Sequence, residues 1–141
     1  MGKYGPTASP FGFEDLEVYK AARKVRGRVY KLATLLPEQE KYALAQQMRR
    51  AAVSLTSNIA EGYGRHHRQE GTQFCRQSRG SLYELVDQVG VCVDEGYAKA
   101  EHVQDLRKDM VELARLLNGY IAYLQKEKAR PSVTAERSAD Q

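Results

Sequence analysis

The side chains that could carry chemistry in this 141-residue chain are three histidines, two cysteines and a larger set of arginines and lysines. His66 and His67 are adjacent in a predicted turn, and His102 stands at the start of a predicted helix. Histidines without neighbouring carboxylates or cysteines at ligand spacing are weak evidence for a metal site, and surface polar residues are the simpler explanation. We therefore expect no metal and no cofactor.

The two cysteines, Cys75 and Cys92, fall within one predicted helix. A helical rise of ~1.5 Å per residue places them roughly 25 Å apart, too far for a disulfide. Arg76 and Arg79 could lower the pKa of Cys75, but a thiol buried as a small apolar group is the favoured interpretation. The sequence also has no Walker loop, dinucleotide-binding glycine pattern or nucleophile elbow. We predict a protein that is not an enzyme.

The basic side chains are distributed unevenly along the chain. The net charge is +4, yet residues 20–79 carry 13 Lys/Arg against 4 Asp/Glu, and residues 80–128 carry 6 against 9. Arginine and lysine neutralise phosphates and release counterions, and tyrosine or histidine can stack on unpaired bases, as Tyr63, His66 and His67 could. The alternative is charge that serves only solubility. The predicted nucleic-acid-binding residues are Lys20, Lys24, Arg28, Lys31, Arg49, Arg50, Arg65, Arg68, Arg76 and Arg79.

Four helices must position these side chains. Apolar residues recur every three or four positions over about 14–36, 38–61, 70–95 and 101–128, the period of amphipathic helices. Three short connections favour antiparallel neighbours, so the predicted fold is an all-α, up-down-up-down antiparallel four-helix bundle. Its apolar seams contain no Glu or His, which argues against a di-iron centre.

Several glycines and the two ends of the chain complete this prediction. Gly62 and Gly64 are expected to stop the second helix, where a left-handed residue costs little. Gly80 and Gly90, inside the third helix, are expected to mark tight packing. We predict a flexible leader over 1–12, the bundle over 13–128 and a disordered tail over 129–141. No signal peptide or apolar run of ~20 residues is present, which favours the cytoplasm.

One face of the second helix carries small polar residues where solvated faces usually carry Glu and Lys. Ser and Asn within a helix lose to better helix formers unless they make hydrogen bonds. Another backbone or another chain is therefore expected to pack there, and oligomerisation is the simplest form of that contact. The predicted interface residues are Arg50, Ser54, Ser57, Asn58 and Glu61.

Several blocks of the sequence resemble the bacterial four-helix-bundle family named for the 23S rRNA intervening sequence. The blocks are Phe13 to Tyr19, Leu36-Pro37, Gln47 to Ser54, Ser57 to Gly62 and Arg79 to Leu85, followed by Gln88 and Gly96-Tyr97. Tyr19 departs from the family, which more often has Trp at that position.

The resemblance implies a homopentamer with a central channel and an association with nucleic acid. Related accessory proteins of diversity-generating retroelements bind a reverse transcriptase and RNA. Three functions remain open: an RNA-associated protein, a scaffold that docks a partner such as a reverse transcriptase, and a structural oligomer with no nucleic-acid role.

Overall fold

The computed structural model describes residues 9–65 and 67–129, and this part of the chain contains four α-helices and no strand. The helices are α1 (Glu17–Ala33), α2 (Leu44–Tyr63), α3 (Arg68–Asp94) and α4 (Gln104–Ala129). Short 3-10 turns precede α1, α2 and α4, at Gly12–Asp15, Glu38–Glu40 and Ala100–Val103. The predicted all-α class is confirmed.

The apolar stripes predicted from the sequence form one shared core. In α4, the apolar residues that recur every three or four positions are all buried, and they are Leu106, Met110, Leu113, Leu117, Tyr120 and Leu124. In α2, the buried side chains include Met48, Leu55 and Ile59. The helix α1 contacts α2 and α4, and α3 contacts α2 and α4. Each helix therefore buries one face against two neighbours, which leaves its basic face outside.

The start of the second helix differs from the prediction. The predicted range of 38–61 includes Tyr42, which fits the apolar spacing, but residues 41–43 form a turn and Tyr42 is 80% exposed. The spacing of three and four continues into this segment by coincidence, because the chain there is not helical. The first helix is likewise shorter than predicted: a 3-10 turn ends at Asp15, and α1 ends at Ala33, ahead of Pro37.

The glycines at the C-terminal ends of α2 and α3 differ in backbone conformation. Gly64 follows α2 with φ −73° and Gly62 is helical, so the predicted left-handed stop is wrong at both positions. Gly96 after α3 does have a positive φ of 76°. The Gly96 N–H bonds the Val93 carbonyl and the Tyr97 N–H bonds the Cys92 carbonyl, the pattern of a Schellman cap.

Close packing occurs at different glycines from those predicted. An ideal Cβ built on Gly80 or Gly90 meets nothing within 4 Å in the described structure, so the prediction of tight packing there is wrong. At Gly62, by contrast, a Cβ would lie 2.9 Å from the Phe74 Cβ and 3.2 Å from the Gly71 carbonyl oxygen. The backbones of α2 and α3 therefore approach each other closely at Gly62 and Gly71.

The predicted leader and tail fall largely outside the described residues. Of the leader, residues 9–12 are described: the Ser9 N–H donates to Asp15 Oδ2 at 2.7 Å and Ser9 Oγ donates to Glu14 Oε1 at 2.7 Å. Of the tail, only Ala129 is described, as the last residue of α4. Among the helices of residues 9–65 and 67–129, none combines the length and the apolar character that a bilayer span requires.

Candidate nucleic-acid interface

The four predicted cations of α1 lie away from its core face, because Val18, Ala22, Val25 and Val29 turn that face into the core. Two of them share one carboxylate on α4. Lys24 Nζ lies 3.5 Å and Arg28 Nε 2.6 Å from the oxygens of Asp109, which is about four-fifths buried. Asp109 can neutralise only one of these two cations, so Lys24 and Arg28 together leave one positive charge without a carboxylate.

Lys20 and Lys31, also on α1, are exposed and form no ion pair with any described carboxylate. Lys31 and Arg28 line a groove of about 360 Å³ between the end of α1 and the start of α4, and His102 lies on its other side. The structure thus brings three of the predicted residues, Lys24, Arg28 and Lys31, to the α1–α4 side of the bundle.

The α2 arginines lie away from that groove. Arg50 is exposed and Arg49 half-buried, and neither forms an ion pair within the described residues. Sequence reasoning missed Arg26 of α1, whose Nη1 donates to Thr56 Oγ1 at 2.9 Å and links α1 to α2. Its position between two helices makes it structural, and no spacing in the sequence separates it from the cations that face solvent.

Arg65 and Arg68 meet at the connection between α2 and α3. Arg65 Nη2 lies 2.9 Å from Glu61 Oε1, Arg65 Nη1 lies 3.8 Å from Glu70 Oε2, and its guanidinium stands over the Phe74 ring. The charge of Arg65 is therefore satisfied by two carboxylates. Arg68 has no described carboxylate partner, and its Cζ lies 5.5 Å from the centroid of the Tyr123 ring.

Both arginines line a cleft of about 390 Å³ at this end of the bundle, which we call the end cleft. Its buried floor and more exposed rim differ in chemistry. The floor consists of Leu16, Gly62, Gly71, Tyr120 and Leu124, and the rim of Tyr63, Arg65, His67, Arg68 and Tyr123. The end cleft is thus aromatic and cationic at its opening and mostly apolar below.

Three tyrosines give the end cleft its aromatic character. Tyr120 and Tyr123 stack with ring centroids 6.1 Å apart, and burial raises the pKa of Tyr120, so its phenol stays protonated. Tyr63 is 45% exposed and packs its ring edge-on against Phe13, with centroids 6.3 Å apart. Tyr63 is a predicted stacking residue, whereas the sequence marks Tyr120 only by its apolar spacing in the fourth helix and Tyr123 by no pattern.

The two α3 arginines downstream are separate from the end cleft. Arg79 Nη1 donates to Asn118 Oδ1 on α4 at 2.8 Å, and Arg76 lies beside Gln69, Gln73 and Gln77 on an open face of α3. Of the remaining predicted residues, His67 is on the cleft rim, and His66 lies outside the described residues.

The ten predicted cations do not form a single patch on one chain. The cations of α1 and those of the end cleft contact α4 at different places. Arg28 pairs with Asp109, and Arg68 lies over the ring of Tyr123, fourteen residues further along α4. At ~1.5 Å per residue this separation is about 21 Å. The structure therefore places one basic group beside α1 and α4 and another around the end cleft.

The predicted interface residues on α2 have mixed surroundings. Ser54 Oγ and Ser81 Oγ of α3 are 2.7 Å apart, and Asn58 Nδ2 donates to the Ser54 carbonyl and hydroxyl. Arg50, Ser57 and Glu61 are exposed, and Glu61 pairs with Arg65. Ser54 thus bonds a serine of α3, and Asn58 makes its hydrogen bonds to Ser54 within α2.

Two observations bear on catalysis and metal binding. No group of three His, Cys, Asp or Glu side chains in the described residues is arranged to hold a metal ion. Cys75 is buried, and burial raises its pKa to about 12, so the neighbouring Arg76 and Arg79 do not activate it. At neutral pH this thiol is protonated and lacks the thiolate that nucleophilic chemistry requires.

Comparison with known protein families identifies a match for most of the chain. A family model described as 23S rRNA-intervening sequence protein matches residues 14–119, well over half of the chain. The match begins in the 3-10 turn before α1 and ends within α4. It therefore includes the cleft residues up to Gly71 and ends just before Tyr120. No curated protein matches the sequence.

Proposed function

The chain belongs to the 23S rRNA-intervening sequence protein family, and from that premise we propose a non-enzymatic, oligomeric four-helix-bundle protein that associates with RNA through its basic side chains. One observation carries the proposal: seven of the ten predicted cations form no ion pair with a described carboxylate. They are Lys20, Lys31, Arg49, Arg50, Arg68, Arg76 and Arg79. Positive charge that the described residues do not neutralise is available to an external polyanion.

A double substitution tests this association. Arg49→Ala/Arg50→Ala removes two cations from α2, and Lys99→Ala/Lys108→Ala removes two exposed cations from the acidic half of the chain as a matched control. Each lost phosphate contact reduces the slope of log K against log salt by about 0.7–0.9. We expect the first variant to bind structured RNA more weakly and with a shallower slope, and the control to resemble the wild type. Equal effects of both variants would show only general electrostatics.

Contacts between the helices support an up-down-up-down order. Along α2 and α3, Gly62 approaches Gly71, Leu55 accepts a hydrogen bond from Ser78, and Met48 contacts Cys92. The residue number falls along one helix as it rises along the other, which is the pattern of an antiparallel pair. Two buried, unpaired cysteine thiols agree with the reducing environment of the cytoplasm, where we place the protein.

Self-association is supported by an apolar groove between α3 and α4. Leu82, Val86, Met110 and Ala114 line it, and two large apolar side chains beside them are open to solvent: Tyr83 is 60% and Val111 71% exposed. Exposed apolar side chains that cluster around a groove are typical of protein contact surfaces. Together with the exposed α2 residues Arg50 and Ser57, this groove supports the pentamer that the family resemblance implies.

Light scattering tests the assembly. A pentamer of 15.9 kDa chains has a mass of about 80 kDa. We expect Tyr83→Glu/Val111→Glu to lower this mass, and Tyr42→Glu, which places the same charge at an exposed tyrosine elsewhere, to leave it unchanged.

The second candidate function is a scaffold that docks a protein partner such as a reverse transcriptase, and the same groove favours it. An unchanged mass for Tyr83→Glu/Val111→Glu would mean that the groove stays open in the assembled protein. Loss of partner binding in that variant would then support the scaffold over the RNA-associated protein.

A further inference from the structure

The rim of the end cleft carries aromatic and cationic side chains, which complement the aromatic base and the anionic phosphate of a nucleotide. We propose that the end cleft binds a single nucleotide, with the aromatic base against Tyr63 and the phosphate at Arg68. This inference deepens the proposed RNA association and rests on it for the source of the nucleotide, an unpaired residue of an RNA chain. The volume of about 390 Å³ lies at the lower end of the range of small-ligand pockets. It suits one nucleotide and excludes a duplex.

Arg68 is the cation best placed to hold the phosphate. It lies on the rim, and no carboxylate of the described residues pairs with it. Its guanidinium stands over the Tyr123 ring, 5.5 Å from the centroid, and Tyr123 in turn stacks on Tyr120. A cation–π contact of this kind uses none of the guanidinium N–H groups, which stay available to bond phosphate oxygens in pairs.

Arg65 has a different role at the same rim. Glu61 and Glu70 lie within 4 Å of its guanidinium, so they cancel its charge and bring negative charge close to the end cleft. A ligand with one phosphate meets little repulsion there, whereas a triphosphate meets considerably more. The end cleft should therefore prefer a phosphodiester or monophosphate to a triphosphate.

Tyr63 offers the surface for the base. Phe13 packs against it edge-on, and its hydroxyl end rests against Gly12, where a Cβ would collide with the Tyr63 oxygen. Tyr63 is nevertheless 45% exposed, and it lines the cleft. A ring held from one side loses little freedom when a base stacks on the other, and such stacking tolerates every base because each has an aromatic face.

The backbone explains why a cavity is present at this end of the bundle. Gly62 and Gly71 both lie in the floor, and neither contributes a side chain to fill it. Their close approach brings the end of α2 against the start of α3, where Tyr63 and Arg68 both line the opening. The floor of the cleft is thus set largely by helix packing, while Arg65 and His67 of the α2–α3 connection complete its rim.

Binding of two hairpin RNAs to the full chain tests the proposal, with one hairpin fully paired and the other carrying a single bulged adenosine. We expect the wild type to bind the bulged hairpin about tenfold more tightly, from the stacking of one base. Arg68→Ala and Tyr63→Leu should abolish this preference. Arg76→Ala, which removes the same charge from an open face of α3, should weaken both complexes equally and keep the preference. Thermal unfolding followed by circular dichroism shows that each variant is folded.

The outcomes separate the two claims. Binding of both hairpins with equal affinity, or a preference that survives in Arg68→Ala and Tyr63→Leu, overturns the nucleotide site and leaves RNA association in place. Titration with free adenosine monophosphate distinguishes the source: binding of the mononucleotide without either RNA, lost in Arg68→Ala, supports the site and overturns RNA association. Tighter binding of adenosine triphosphate than of the monophosphate contradicts the assigned roles of Glu61 and Glu70. No binding of any of these ligands at about 50 mM salt overturns both claims.

Discussion

At the scale of residues, cations of the same type differ in what already surrounds them. Arg65 and Arg68 lie three residues apart on one cleft, yet Arg65 faces two carboxylates and Arg68 faces a tyrosine ring. An exposed ion pair of the Arg65–Glu61 kind contributes only about 0.3–0.5 kcal/mol, so it directs the side chain more than it stabilises the fold. Counting arginines in a sequence overlooks this difference.

The buried thiols give a prediction about pH. Burial raises the pKa of Cys75 to about 12. The pKa of Cys92 is also raised, mainly by burial and to a smaller extent by the negative charge of Glu40. In the unfolded chain the thiols titrate near pH 9, so the folded state binds more protons above that pH. Each thiol's contribution is therefore intact below pH 9, and stability falls above it by at most about 1.4 kcal/mol per pH unit for each thiol.

Thiol titration provides a direct check of this prediction. At pH 8, a disulfide reagent such as dithionitrobenzoate should react slowly with the native protein and rapidly with both cysteines in urea. Cys75→Ala should flatten the decline in unfolding free energy between pH 9 and 11. A native protein whose thiols react at the rate of free cysteine would contradict the burial of both groups.

The sequence shows the types of the cysteines and of the cleft residues, but it does not show which groups surround them in the fold. The burial of Cys75 and Cys92 follows from their place on the apolar stripe of α3, so it could be predicted. The end cleft could not, because Tyr63 and Tyr123 are distant in the chain and belong to separate helices. The predicted antiparallel order puts the C-terminal ends of α2 and α4 at one end of the bundle. It does not show that both rings line one cavity, because that depends on the packing around Gly62 and Gly71.

At the scale of elements, the closest helix contact is the crossing of α2 and α3 at two glycines. A Cβ on Gly62 would lie 2.9 Å from the Phe74 Cβ, while one on Gly71 would lie 3.4 Å from the Gly62 carbonyl oxygen and 3.6 Å from Leu124. Gly62→Ala should destabilise the fold by about 1–3 kcal/mol, the usual cost of overpacking.

Gly71→Ala is the matched control for this prediction. Its contacts are of ordinary van der Waals length, and alanine is favoured over glycine in a helix by up to about 1 kcal/mol. We expect unchanged or slightly higher stability. Urea unfolding measures both variants, and equal losses of free energy would contradict the assigned crossing.

Two other glycines of α3 have no such reason to be glycine within one chain. A Cβ on Gly80 or Gly90 meets nothing within 4 Å of the described structure. In the isolated chain, alanine at each position should raise the unfolding free energy by up to about 1 kcal/mol, measured by urea unfolding at low protein concentration. Lower stability together with a lower mass in light scattering would instead place these glycines against a second protomer.

Periodicity predicted most of the helical elements correctly, with errors at their ends. The α4 seam from Leu106 to Leu124 is buried as predicted, because a spacing of three and four over many turns has no other simple explanation. Tyr42 shows the limit: it fits the spacing but precedes the helix. Over-extension is expected at such ends, where a 3-10 turn or simple turn preserves the spacing without the helix.

At the scale of the whole molecule, the charge asymmetry of the sequence does not become one basic face. The cations beside α1 and α4 and those around the end cleft are about 21 Å apart along α4. A protomer of this kind offers several separate phosphate contacts. Assembly into a ring would repeat both groups around an axis, and linked weak contacts then add to a much higher affinity.

The salt dependence of RNA binding by the wild-type protein tests the central claim most directly. Three or more phosphate contacts predict that log K falls linearly with log salt, with a slope steeper than about −2. The measurement is a titration of a structured RNA between about 50 and 200 mM salt, the range in which such contacts change affinity most. A slope near zero, or no binding at the lowest salt, would contradict RNA association through these cations.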